Sequence, residues 1–212
     1  MKQNQIAEYQ ILLEGGEGEI VEKKSRFIAT IRKVESEEEA IAFIEEMKKK
    51  YWDARHNCSA FVIGSRAELT RCSDDGEPSG TAGRPMLEVL LGEGVRNIAV
   101  VVTRYFGGVL LGTGGLVRAY TQAVKAGLEN CLIGTMCHGT EVELRTDYNS
   151  IGKVLYILGQ YGITAYESDY GADVALKIRF KSQLAEGIQK ELVEATSGRI
   201  QWEKIGDGYF VF

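Results

Sequence analysis

The sequence is short of several things, and each shortage removes a class of function. Four cysteines, Cys58, Cys72, Cys131 and Cys137, form no C-x-x-C pair, and His56 and His138 are the only imidazoles. That set argues against a structural zinc site, and no metal or cofactor is expected. Basic charge is in deficit: the net charge is −5, whereas a generic binder of duplex nucleic acid is usually basic. Apolar runs are short, none approaching the ~18 residues of a membrane span, and signal-peptide and lipidation patterns are missing. A reduced, soluble, cytoplasmic protein without a membrane partner is the expectation. Proline is scarce too, two residues against 25 glycines, where average glycine usage is about 7%. Hydrophobic runs flank the glycine-rich region, so its glycines read as backbone-shaped loops and not as disorder.

What is present fits a globular protein. With 212 residues, 44% hydrophobic and 26% charged, the chain has room for one large or two small domains. Residues 9–33 read as two strands around a turn-rich 14–18, with Phe27, Ala29 and Ile31 alternating on one side of the second. Ser36 and Glu39 form a capping box ahead of a helix with Ala40, Phe43, Ile44, Met47 and Tyr51 at helical spacing. Lys48, Lys49 and Lys50 suit the negative end of that helix and read as a solvated helix end. A strand over 58–63, a polar loop through Gly83, a short helical turn over 86–91, a buried strand over 98–103 and a helix over 116–128 follow. Residues 131–138 are mixed and short, which places a boundary between domains 1–137 and 138–212. From Gly139 the order is β-α-β-β-α-β, the split βαβ or ferredoxin-like arrangement, so the fold class is α+β.

Two segments carry chemistry. Residues 73–85, Ser-Asp-Asp-Gly-Glu-Pro-Ser-Gly-Thr-Ala-Gly-Arg-Pro, pack three carboxylates, three glycines and three hydroxyls into thirteen positions. Asp, Gly, Pro and Ser are also ordinary turn residues. The candidates for catalysis here are His56, Asp74, Asp75 and Glu77. A carboxylate beside the imidazole would fix its tautomer, and the acids could hold Mg²⁺, or the whole set could be a hydrogen-bonded loop pin.

The second segment follows the buried strand. Arg104-Tyr105-Phe106-Gly107-Gly108 is succeeded by Gly112, Gly114 and Gly115 at the start of a helix. Helix N-termini offer unpaired N–H groups and partial positive charge, and glycines let an anion approach. The pattern is neither a phosphate-binding P-loop, for lack of a Gly-Lys-Ser/Thr ending, nor a dinucleotide fingerprint, since Val117 stands at the third small position. Tight helix–strand packing is the competing explanation. No acid lies between Glu93 and Glu129, while Arg96, Arg104, Arg118 and Lys125 do. The expected anion or nucleic-acid site is Arg84, Arg104, Tyr105, Gly107, Gly108, Gly112, Gly114, Gly115 and Arg118. Tyr105 and Phe106 could stack on bases, or Phe106 could be a core lid.

At Asp74-Asp75-Gly76-Glu77-Pro78-Ser79-Gly80-Thr81-Ala82-Gly83 and Arg104-Tyr105-Phe106-Gly107-Gly108, with Gly112, Gly114 and Gly115, the sequence resembles the IMPACT family and its bacterial YigZ-type branch. Ser25-Arg26-Phe27, His56 and Cys58 fit the same pattern, and the resemblance spans nearly the whole chain. It implies an N-terminal βαβ domain of the ribosomal-protein and galactokinase-like type. It also implies a ferredoxin-like C-terminal domain similar to the last domain of elongation factor G. The family's eukaryotic members restrain a starvation-sensing kinase of translation initiation through an additional N-terminal domain. Nothing here corresponds to that domain, so the kinase role does not transfer. The resulting expectation is a non-enzymatic binding or regulatory protein of translation, contacting RNA, a ribosomal component or a translation factor through the glycine loop and the C-terminal sheet. The alternative is an enzyme or binder of a phosphorylated small molecule or nucleotide, with Mg²⁺ in play. The oligomeric state is left open.

Overall fold

The protein is described by a computed structural model over residues 8–212. The first seven residues of the expected N-terminal domain lie outside the described residues. The chain forms two compact units, one of residues 9–135 and one of residues 136–212 with Glu8.

The first unit begins with β1 (Tyr9–Glu14), β2 (Glu17–Glu22) and β3 (Ser25–Lys33), followed by α1 (Glu37–Lys50). Three strands therefore occupy the segment read from sequence as two. β2 was missed because it is an edge strand of sequence Glu-Gly-Glu-Ile-Val-Glu that buries no residue fully. α1 starts as expected: the Glu39 amide donates to Ser36 Oγ at 3.2 Å, and Glu39 Oε2 accepts from the Glu35 amide at 2.7 Å. Ala40, Phe43 and Met47 form its buried stripe.

Next come β4 (His56–Ile63), β5 (Leu69–Ser73), α2 (Gly83–Gly92), β6 (Val95–Arg96), β7 (Ile98–Tyr105) and α3 (Thr113–Leu128). β5 occupies part of the expected polar loop, another short and largely exposed edge strand. The expected helical turn is the ten-residue α2. α3 starts three residues earlier than the apolar pattern implied, so Gly114 and Gly115 lie in its first turn and not in a loop.

The sheet order is β2-β3-β7-β4-β5, antiparallel throughout. β7 is central, which explains its unbroken Ile-Ala-Val-Val-Val run: both its faces are covered. α2 and α3 bury Met86, Leu90, Leu116, Tyr120 and Val124 against one face, where Phe27, Cys58, Val100 and Val102 project. α1 covers the other, packing Phe43 and Met47 on Phe61, Ala99 and Val101. β3 and β4 both pair antiparallel to β7, so β3, α1 and β4 make a split βαβ unit. In that register Arg104 stands between Phe27 on β3 and His56 on β4. The short parallel pair β1–β6 adds Leu12 and Val95 to the α2–α3 side of the core.

β8 (Leu132–Thr146) is a continuous strand running through the segment that read as mixed and short. It continues into the second unit, where α4 (Ile151–Gln160), β9 (Ala165–Tyr170), β10 (Val174–Lys181), a 3-10 turn (Ser182–Leu184), α5 (Ala185–Ala195) and β11 (Gln201–Val211) follow. This is the expected β-α-β-β-α-β order, with strands arranged β11-β8-β10-β9, all antiparallel. Val142, Leu144, Leu176, Ile178 and Phe180 alternate toward Val154, Leu158, Ile188 and Leu192 of the two helices. The intervening residues Lys177, Arg179 and Lys181 take the opposite face.

Candidate cleft at the start of α3

The end of β7, the start of β4, the 74–83 loop and the first turn of α3 converge on a cleft of about 440 Å³. Its lining divides by chemistry. Arg55, His56, Glu77, Arg104 and Thr113 supply the polar groups, and Phe106, Leu110, Leu111 and Leu116 the apolar wall.

The deepest polar element is an ion pair. Arg104 Nη1 donates to Glu77 Oε1 at 2.6 Å, with the side chains 7% and 3% exposed. Tyr120 Oη donates to the same oxygen at 2.8 Å from within α3. Two donors on one carboxylate oxygen are what a buried acid requires. The Cys58 thiol completes the set, 3.3 Å from Tyr120 Oη and 2.9 Å from the Asp74 carbonyl oxygen. Burial pushes the Cys58 and Tyr120 pKa values up, and the nearby acids add to this at Cys58. Both shifts favour the protonated forms, and the buried Cys58 thiol sits in the core as a hydrogen-bonded side chain.

Above that network the acidic loop is pinned by its own side chains. Asp74 Oδ1 accepts from the amides of Ala82 and Gly83 at 3.0 and 2.8 Å, and Oδ2 from Gly80 at 2.8 Å. Partial burial opposes ionisation of Asp74, but these three N–H groups outweigh it and hold its pKa below the usual carboxylate value. Asp75 Oδ2 accepts from the Asn57 amide at 2.7 Å. His56 Nδ1 lies 2.9 Å from the Asp75 carbonyl oxygen. A carbonyl only accepts, so Nδ1 carries the hydrogen and Nε2 is left to the cleft. A main-chain carbonyl, and not the expected carboxylate, thus fixes the imidazole.

The glycines of the second motif serve different ends. Gly107 donates its N–H to Ser25 Oγ at 3.1 Å, and a Cβ there would collide with the Lys24 backbone. Gly112, at φ +72°, turns the chain into α3 as its N-cap. Gly114 meets nothing closer than the Arg118 side chain at 3.8 Å, so packing does not demand a glycine there. No side chain caps α3 and no acid sits in its first turn. The amides of Thr113, Gly114 and Gly115 therefore lack intrahelical acceptors.

Of the residues singled out from sequence, the cleft gathers His56, Glu77, Arg104 and Gly112. Gly114 and Gly115 adjoin it in the first turn of α3, whereas Gly107 and Gly108 precede that turn. Asp74 and Asp75 support it from the loop. Tyr105 is one residue beyond Arg104 on β7 and so faces the other side of the sheet, donating to Asp53 Oδ1 at 2.8 Å. Arg84 is exposed on α2 and paired with Glu88 at 2.8 Å. Arg118 is exposed on α3. Sequence reasoning passed over Arg55, Leu110, Thr113 and the Tyr120 hydroxyl. Arg55 adjoins His56 and was available as a signal, whereas Tyr120 was hidden in the apolar stripe of α3.

A second polar set lies in the C-terminal unit. His138 Nε2 is 3.2 Å from Asp207 Oδ1, and Nδ1 is 2.9 Å from Ser182 Oγ. Ser182 Oγ also bonds Thr140 Oγ1 at 2.7 Å, and Lys204 holds Asp207 at 2.7 Å. The set is saturated by its own members and ties the 3-10 turn to β8 and β11. Among the described residues, no three His, Cys, Asp or Glu side chains are grouped as for a metal ion, and no helix is long and apolar enough to cross a membrane.

Comparison with known proteins agrees with this architecture. Residues 23–128 match the Impact N-terminal domain, and residues 144–199 match a domain of unknown function, DUF1949. A crystal structure described as a hypothetical protein is 36% identical, covering 94% of this chain and 98% of its own, with a TM-score of 0.59. IMPACT family member YvyE of Bacillus subtilis is 40% identical over 191 residues, 90% of this chain and 88% of that protein. YigZ of Escherichia coli is 39% identical over 181 residues, 84% of this chain and 89% of its own. Similarity of that depth across both units places the chain in the IMPACT family.

Proposed function

We propose that this protein is a cytoplasmic, non-enzymatic binding or regulatory protein of translation that contacts RNA or a ribosomal component with the surface around the start of α3. The observation that carries the reading is the unpaired end of that helix. Its first amides are bare, and among the described residues the exposed Arg55 and Arg118 have no acidic partner. Family membership supplies the link to translation. The superfamily likenesses belong to the same reading: the split βαβ of β3, α1 and β4 supports the ribosomal-protein-like assignment. The order β11-β8-β10-β9 supports the likeness to the last domain of elongation factor G.

The carboxylates favour binding over catalysis. Asp74 is spent on three amides, Asp75 accepts the Asn57 amide, and Glu77 neutralises Arg104. Each of the three is thus already engaged in the loop or the core, as a binding scaffold requires.

Co-sedimentation with RNA or ribosomes across a salt series tests the reading. Arg118→Ala and Arg55→Ala should each weaken binding and lower the salt slope by about one per lost phosphate contact. Unchanged binding in the double variant rules out this surface. Arg104 is unsuited to the test, because truncating it strands Glu77 in the core.

A further inference from the structure

The cleft has a composition that a generic phosphate-contacting surface does not need. A protein that only tracks a nucleic-acid backbone uses exposed cations. Here a helix end opens beside a partly exposed apolar wall, and a buried guanidinium forms part of the floor. Arg104 spends Nη1 on Glu77 while its buried Nε has no partner. Glu77 leaves no uncompensated charge on the floor, because Arg104 and Tyr120 both bond it. The sign at the mouth is then set by Arg55 and the positive end of α3.

We propose that this cleft holds a single nucleotide unit, a phosphate monoester carried on a flat, largely apolar body. The phosphate meets the amides of Thr113, Gly114 and Gly115 and the Arg55 guanidinium. The base lies on Phe106 and Leu110, which are 46% and 82% exposed. The Arg104 guanidinium lies over the Phe106 ring at 5.6 Å from its centroid, a looser contact than the 4.0 Å stack of Arg179 on Phe210. His56 Nε2, left free by the Nδ1 bond to the Asp75 carbonyl, accepts from a ribose hydroxyl or a base N–H. The volume lies within the range of small-ligand sites, about 300–1,000 Å³. A bare sugar phosphate would set several hydroxyls against the four apolar residues of the wall without partners, which is costly. The inference rests on the translation reading only for the source of the nucleotide, which is a phosphorylated RNA end under that reading and a free nucleoside monophosphate otherwise.

The test is an amide NMR titration of the full chain with AMP, UMP, adenosine and inorganic phosphate. AMP should shift the Thr113, Gly114 and Gly115 amides, and adenosine should bind more weakly. Arg55→Glu should weaken AMP at least tenfold while leaving adenosine unaffected. Phe106→Ala should weaken AMP by about five- to hundred-fold, the range of one base–aromatic stack, and leave inorganic phosphate unaffected. Arg55 is exposed and Phe106 half-exposed, so Arg55→Glu should melt with the wild type and Phe106→Ala only slightly below it, and the NMR spectrum checks that both are folded. An AMP titration that leaves these amides unmoved, or an AMP affinity unchanged in both variants, overturns the proposal. Short RNAs ending in 5′-phosphate or 5′-hydroxyl identify the source: a preference for the phosphorylated end tighter than for AMP assigns an RNA terminus, and AMP binding without RNA competition assigns a free nucleotide. Loss of co-sedimentation in the arginine variants with no AMP response removes the cleft alone. An AMP response without RNA or ribosome binding removes the translation reading alone.

Discussion

Two regions of this protein are rich in charge, and they use it in opposite ways. On the open face of the C-terminal sheet nearly every cation has its own anion. Arg145 bonds Glu143 at 2.6 Å, Lys177 bonds Glu167 at 2.8 Å, Arg179 bonds Glu141 at 2.7 Å and Lys181 bonds Glu8 at 3.2 Å. Arg179 also stacks on Phe210 at 4.0 Å, so an aromatic that could receive a base is already covered. At the start of α3 the charge is fewer in number but unevenly placed, neutralised in the core and unpaired at the rim. A count of Lys and Arg would rank the sheet face first as an anion surface, whereas their partners rank it second. For this reason the proposed contact surface lies on the first unit and not on the sheet that the sequence also suggested.

The comparison predicts its largest difference for single truncations. Glu77→Ala leaves the Arg104 guanidinium buried without its anion and should cost about 3–5 kcal/mol. Glu167→Ala, on the sheet face, should cost no more than about 1 kcal/mol, because water replaces the lost partner. Hydrogen exchange at β7 and β10 amides reads each unit separately. Similar losses for the two variants would erase the distinction between a buried and a self-screened pair.

Next in size is the loop pin. Asp74→Ala orphans three amides, including those at the start of α2, and should cost about 2 kcal/mol. Because the native pKa of Asp74 is lowered, its contribution is complete above the ordinary value near 4. It is then lost as pH falls through the lower native value. The stability gap between wild type and Asp74→Asn should therefore hold at neutral pH and narrow below about pH 4. A gap that widens on acidification would mean that the charge of Asp74 is not what the three amides recognise.

A smaller effect is expected inside the buried network. Tyr120→Phe removes one of two donors to Glu77 Oε1 and the neighbour of the Cys58 thiol, yet leaves the Arg104 bond in place. The cost should be about 1 kcal/mol, seen as a lower urea midpoint for the first unit. A cost rivalling that of Glu77→Ala would show that the hydroxyl, and not the guanidinium, carries the acid.

How much of this was legible in the sequence depends on how local the signal was. The α1 cap and the split order of the C-terminal unit rest on short-range patterns and appear where the sequence put them. Edge strands β2 and β5 were missed because they bury one face at most, and acidic or polar residues dilute their alternation. At the site, three carboxylates within four residues stood equally near Arg104 in sequence, and only the fold selects Glu77. The split between Arg104 and Tyr105 was readable, since neighbours on a strand face opposite sides. Arg96 and Arg104 could not be told apart from Arg118 as free or engaged, because burial is a property of the packed sheet. Arg96 in fact bonds the carbonyl of Val95, with its Nε buried.

The smallest expected effect is the one that most sharpens the comparison. Lys177 faces Glu143 directly across the strands and reaches Glu167 at 2.8 Å, with the two partners of that pair 33% and 59% exposed. A double-mutant cycle on Lys177 and Glu167 should give a coupling of about 0.2–1 kcal/mol. In 1 M salt, where the Debye length is about 3 Å, it should fall close to zero. The Glu77–Arg104 coupling should keep most of its size in the same salt, since solvent ions do not reach a pair that is almost fully buried. If both couplings collapse together, the cleft floor is hydrated, and Arg104 is not a fixed, desolvated donor beside the helix end. If only the sheet pair collapses, the two regions differ in kind: one face neutralises itself in water, and the other holds a desolvated, neutralised pair beneath an unpaired helix terminus.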